Sequence, residues 1–147
     1  MRIGTYAGKP AQIADWNDAA AYARTQNAHA FPDYGDADWR AFARRILRED
    51  ARGIRPDYDP DIVVPFTKAR PLSPAAMWGL FAALAAKRPL LLVRGATSDI
   101  LSPEITARMR LAAPLMAYAE VPGVGHAPML TEPAAKAALK GFLRDVP

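Results

Sequence analysis

At 147 residues the chain has the length of one domain, since domains commonly run about 100–200 residues, and it is long enough to bury a core. A charged fraction of 23% beside a hydrophobic fraction of 51% argues against disorder, although much of the apolar share is alanine, which buries little. Cysteine is absent, which excludes a disulfide framework, a thiolate zinc site and a cysteine nucleophile, and the net charge of +4 is spread along the chain rather than gathered into a nucleic-acid footprint.

In chain order, residues 13–28 are Ala-rich, with Trp16, Ala20 and Ala23 at helical spacing and Asp15 as cap. Asp36 or Asp38 can cap a second helix, whose Trp39, Phe42, Ile46 and Leu47 share a face and which Gly53 stops. The arginines of that stretch, Arg40, Arg44, Arg45 and Arg48, also have helical spacing and read as a solvated face. Residues 55–70 hold three prolines and read as an irregular connection. Ser73 followed by Pro74 is a helix start, serine as N-cap and proline at the first helical position. That helix is expected to run to about Lys87, with Met77, Trp78, Phe81 and Leu84 as an apolar stripe. The stripe has two readings: packing of the helix onto the rest of the protein, or lining of an apolar acyl or alkyl pocket by Met77, Trp78 and Phe81.

The character changes near Pro89. Residues 90–93 are a short continuous apolar run, the pattern of a parallel strand covered on both faces. Ser102 and Pro103 repeat the helix start, and Ile105, Met109 and Ala112 make one face of a helix ending at Pro114. Residues 116–121 are a second strand. A glycine loop over 122–128 leads to a last helix from about Pro133, with Ala135, Leu139 and Phe142 on one side. This β-α-β-α order predicts two parallel, neighbouring strands. The expected division is 1–88 as a mainly helical region and 89–147 as the β-α-β-α part.

Parallel neighbours present their C-terminal ends at one edge, about 4.8 Å apart, where open α/β sheets place their sites. Asp99 and His126 each follow such an end. A carboxylate accepting from one imidazole nitrogen fixes the tautomer and leaves the other nitrogen as a base. As residue types alone, such a pair is usually structural: Asp99 a loop residue ahead of a capped helix and His126 a hydrogen-bonded turn histidine.

The wording of the two loops is more specific. The run Arg94, Gly95, Ala96, Thr97, Ser98, Asp99, Ile100, Leu101, Ser102 resembles the acid loop of α/β-hydrolase fold enzymes. Val121, Pro122, Gly123, Val124, Gly125, His126, Ala127, Pro128, with Glu132 and Pro133 after it, is similar to that family's histidine loop and final helix. The resemblance covers about 89–143 and implies a partial α/β-hydrolase fold. It assigns the catalytic acid to Asp99 and the general base to His126, and residues 1–88 resemble, more loosely, the helical cap or lid region that precedes the acid strand. It implies an esterase-like hydrolase of esters or related acyl bonds on a small-molecule substrate, with no cofactor and no metal.

The family's triad runs nucleophile, acid, histidine, the nucleophile on a Gly-x-Ser-x-Gly turn between strand and helix. No such turn is present. The serines are Ser73, Ser98 and Ser102; two precede prolines and Ser98 abuts Asp99 without a glycine elbow. Gly4, Thr5, Tyr6, Ala7 and Gly8 match only superficially, with tyrosine at the centre. The nucleophile and the oxyanion hole would both precede Met1. The expectation is therefore the C-terminal half of a larger hydrolase, inactive alone and partnered by the missing N-terminal half or by another chain that supplies it. An alternative is a non-catalytic truncated remnant or interaction module. Two strands make a marginal sheet with an apolar open edge, so the chain alone is expected to be poorly soluble or oligomeric.

Asp57, Asp59 and Asp61 alternate like the opening of a calcium loop, but Ile62 replaces the required glycine and Lys68 the bidentate glutamate. His29 has no histidine or cysteine near it in sequence to share a metal. No phosphate-binding glycine loop is present. The longest apolar run, 74–86, is too short to span a bilayer, and the N-terminus lacks the apolar stretch of a signal peptide. These features predict a cytoplasmic protein with no membrane and no nucleic-acid partner.

Overall fold

The computed structural model describes residues 13–64 and 72–146. The run Gly4 to Gly8 and the later part of the proline-rich connection, including Lys68, lie outside these residues. The chain divides into two compact units, one drawn from residues up to 28 and from 34–71, the other from 29–33 and from 72 onward.

The first unit begins with α1 (Trp16–Asn27), whose N-cap Asp15 accepts from the amides of Asn17 and Asp18 at 2.7 and 2.9 Å. Ala19 and Ala23 are fully buried; side chains this small let α2 (Asp36–Ile46) pack closely on α1. Gly35 is the N-cap of α2, and Asp38 accepts from the Gly35 amide at 3.0 Å, a carboxylate at the positive end of the helix dipole. Trp39 and Phe42 are buried in a cluster with Tyr34, whose ring meets theirs edge-on at 5.2 and 6.3 Å, while the Trp39 and Phe42 rings are tilted to each other at 5.6 Å.

Contrary to the sequence expectation, the helix does not run through Leu47 to Gly53. It ends at Ile46, and β1 (Leu47–Asp50) and β2 (Gly53–Pro56) form an antiparallel hairpin with Leu47 opposite Pro56 and Asp50 opposite Gly53. The physical reason lies in the turn and the pattern. Gly53 has φ +91°, a conformation glycine adopts at little cost, and Leu47 and Ile54 bury one side of the hairpin while Arg48, Glu49 and Asp50 stay in water. Asp50 accepts from the Arg52 amide at 2.9 Å and from the Arg55 guanidinium, which closes the turn. Asp57 pairs with Arg48 at 3.4 Å, and Asp59 caps the short 3-10 turn Pro60–Val63 by accepting from Asp61. Two of the three alternating aspartates are thus engaged in local structure.

In the second unit Ser73 caps α3 (Pro74–Ala85), its Oγ accepting from the Ala76 amide. β3 (Leu91–Gly95) and β4 (Ala117–Val121) pair in parallel, with Leu91 opposite Ala117 and Gly95 opposite Val121. Between them runs α4 (Pro103–Ala112), capped by Ser102. α5 (Pro133–Asp145) packs on both strands, burying Ala135 against a core that includes Val121. Strand, helix, parallel strand and helix therefore follow in the expected order. No helix among the described residues is long and apolar enough to cross a membrane.

Candidate functional site

The C-terminal ends of β3 and β4 lie side by side, and the loops that leave them are joined backbone to backbone. Ala96 donates to the Val121 carbonyl at 2.9 Å and Thr97 to the Val124 carbonyl at 3.0 Å. The first loop then turns sharply. Ser98 donates from its amide to the Gly95 carbonyl at 3.0 Å, and its Oγ accepts from the Leu101 amide at 3.1 Å. Buried Ser98 pins the turn from below, so Asp99 stands exposed at its crest.

The second loop is held as closely. Gly123 has φ +67°, the left-handed region that favours glycine. Val124 is buried, and the Gly125 amide donates to the Ala30 carbonyl at 2.7 Å. A Cβ on Gly125 would fall 2.8 Å from Ala30 Cα, so only glycine fits that approach. Residues 29–33 therefore belong to the same unit as this loop, although they are remote from it in sequence. His126 comes directly after and is exposed. Beyond it, Glu132 accepts from the Met129 amide at 3.0 Å, tying the loop to the start of α5.

The structure thus brings Asp99 and His126 to one sheet edge, on two loops in direct backbone contact. Met77, Trp78 and Phe81 stand elsewhere, on α3. Met77 is exposed, Trp78 and Phe81 are half-buried and meet edge-on at 5.9 Å, and the Arg108 guanidinium from α4 lies 4.5 Å from the Trp78 ring centre. An open groove of about 580 Å³ lies beside the end of α3, between residues 85–90 and 112–116. It borders the starts of β3 and β4, the edge opposite Asp99 and His126.

One residue of this edge, the first of the acid-loop run, has a role that the sequence alone does not assign. Arg94, which by pattern closes the apolar strand, is its penultimate residue and is only 3% exposed. Its Nε donates to the Leu101 carbonyl at 2.7 Å, and its Nη1 to the Ala96 carbonyl at 3.1 Å and to Glu120 at 2.7 Å. Glu120 stands opposite it on β4 and also accepts from the Tyr118 hydroxyl at 2.7 Å. The Tyr118 hydroxyl and Arg94 hold the Glu120 carboxyl below its ordinary value, while burial and Glu120 push the Tyr118 hydroxyl up. The available signal was an arginine closing an otherwise apolar strand, with a glutamate at the matching place in the next strand.

A parallel β-α-β-α unit of this order is part of an α/β-hydrolase fold, and the chain has that partial fold. Similar proteins agree. An α/β hydrolase from Novosphingobium aromaticivorans superposes with a TM-score of 0.85 at 38% identity, over 99% of this chain and 51% of that one. E-2-(acetamidomethylene)succinate hydrolase (TM-score 0.65, 18% identity, 97% of this chain and 48% of that one) and the thioesterase domain from the curacin biosynthetic pathway (0.61, 20%, 95% and 47%) share the fold. In sequence, the 3-hydroxybutyrate-oligomer hydrolase of Cupriavidus necator is 36% identical over 141 residues, which is 90% of this chain and 47% of that protein. The chain therefore spans about half the length of the relatives it matches. No family model matches it.

Proposed function

We propose that the chain supplies the acid and the base of an ester-hydrolysing α/β hydrolase, Asp99 orienting His126. The carrying observation is the backbone junction of the two loops, Thr97 to Val124 at 3.0 Å, which sets both residues at one edge. In this reading His126 removes the proton of a nucleophile and returns it to the leaving group. Asp99 fixes the tautomer and stabilises the charged imidazolium. The nucleophile and the oxyanion hole come from outside these residues, because the sequence has no Gly-x-Ser-x-Gly turn, and the chain alone is then inactive. Its partner is the polypeptide that carries them.

The likeness to a hydrolase of 3-hydroxybutyrate oligomers supports esters as the bond class, since oligomers of a hydroxy acid are joined by ester bonds. Residues 1–88 then act as the cap region. The ring contact of Trp78 with Phe81 and the Arg108 cation over Trp78 favour a packing role for that face over a pocket for substrate.

The test is ester hydrolysis by the intact protein, meaning these residues together with the polypeptide that carries the nucleophile, with 3-hydroxybutyrate oligomers and short-chain aryl esters as substrates. His126→Ala is expected to lower turnover by on the order of 10⁴ or more, and Asp99→Asn by a comparable factor. Full activity in the His126 variant would overturn the assignment. No hydrolysis of any ester by the intact wild type would favour a non-catalytic module.

A further inference from the structure

Arg94 is a buried charge near the end of an otherwise apolar strand. Burying a guanidinium is costly unless every donor finds a partner, and an apolar side chain in such a place is often neutral or better. An apolar residue cannot, however, grip carbonyls. Arg94 grips the two that bracket the acid turn, Ala96 before Asp99 and Leu101 after it. Through Glu120 the same guanidinium is anchored to β4, the strand that leads into the histidine loop. Tyr118 holds Glu120 from the side, so the anchor itself is fixed. The guanidinium is a rigid planar fork of donors, and lysine offers only a point charge.

We propose that Arg94 is the positioning residue of Asp99. It clamps both ends of the acid turn and references them to β4, which sets the carboxylate relative to His126. The inference rests on the reading of Asp99 and His126 as acid and base.

The experiment is proton NMR of the intact protein, following the downfield imidazole N–H resonance of His126, assigned by its loss in His126→Gln. An imidazole N–H donating to a carboxylate is shifted downfield and protected from exchange. The wild type is expected to show this resonance and Asp99→Asn to lose it. Its absence from the wild type, or its persistence in Asp99→Asn, would overturn the acid–base reading whatever Arg94 does.

With that reading upheld, Arg94→Met is expected to lose the resonance while the remaining amide spectrum stays folded. Arg94→Lys keeps a cation for Glu120 but cannot span both carbonyls, and is expected to lose most of the intensity. If Arg94→Met fails to fold, Arg94→Lys carries the test alone. Retention of the wild-type resonance in either folded variant would overturn the clamp. A purely structural Arg94 would lower the melting temperature and leave the resonance of the folded protein in place.

Discussion

A Cβ placed on Gly95 would lie 2.1 Å from the carbonyl oxygen of Gly125. The two loops of the candidate site thus meet where neither chain carries a side chain, and the obstruction is backbone, which cannot rotate away. Gly95→Ala must therefore push the strand ends apart. The expected cost is about 1–3 kcal/mol or more, as for other overpacked sites, read as a lower midpoint in urea denaturation. In the intact protein it should also lower ester hydrolysis, because the displaced loops carry Asp99 and His126.

The opposite outcome is expected at Gly79 and Gly141. Both lie inside helices, α3 and α5, and a Cβ there meets nothing within 4 Å. Alanine restricts the unfolded chain without a clash in the folded one. Gly79→Ala and Gly141→Ala should each raise stability by about 0.4–1 kcal/mol, seen as a higher thermal midpoint. Gly53 separates the two cases: space is open there, but φ is +91°, so Gly53→Ala should destabilise through backbone strain of about 1–3 kcal/mol.

The capped helices are legible in the sequence because their signals are local. Asp15, Ser73 and Ser102 each bond an amide within three residues, and proline marks two of those starts. β3 is legible because its unbroken apolar run reads as a parallel strand, although Leu91, Leu92 and Val93 end half-buried; β4 follows from the β-α-β-α order, and the placement of Asp99 and His126 comes from the ends of those strands. The hairpin is not legible. Leu47–Asp50 is mostly charged, and the apolar face of α2 continues smoothly into Leu47, so a helical period masks the change. Nor is the contact of Ala30 with Gly125, which joins backbone atoms remote in sequence and leaves no side-chain pattern. Arg94 is hidden for a different reason: a charge after an apolar run reads as the end of a strand, and its burial depends on carbonyls that only the folded loop presents.

The hairpin turn has its own pH dependence. The Arg55 guanidinium, bonded to the Asp50 carboxylate, and then the Arg52 amide hold its pKa at about 2, below the ordinary 3.8. A depressed folded-state value stabilises the fold above the unfolded value and is lost as pH falls through the folded one. Wild type should therefore exceed Asp50→Ala in thermal midpoint at neutral pH. The gap should narrow below about pH 4 and be smallest near pH 2. A gap that stays constant from neutral to strongly acidic pH would mean the carboxylate's charge contributes nothing.

Ser73 and Ser102 cap α3 and α4 in the same way, and each serine-to-alanine change should cost about 1 kcal/mol. The two helices differ in their first turns. That of α4 holds Glu104, whose carboxyl is kept below its ordinary 4.5 first by the Ser102 hydroxyl and then by its own backbone amide. The first turn of α3 holds no acid. Part of the Ser102 contribution is thus tied to an ionised carboxylate, present above pH 4.5 and lost as Glu104 is protonated. The stability difference between wild type and Ser102→Ala should shrink as pH is lowered from about 7 to about 3, whereas the difference for Ser73→Ala should stay level. Parallel denaturation series at several pH values give both curves, and equal slopes would show that Ser102 acts on the Ile105 amide alone.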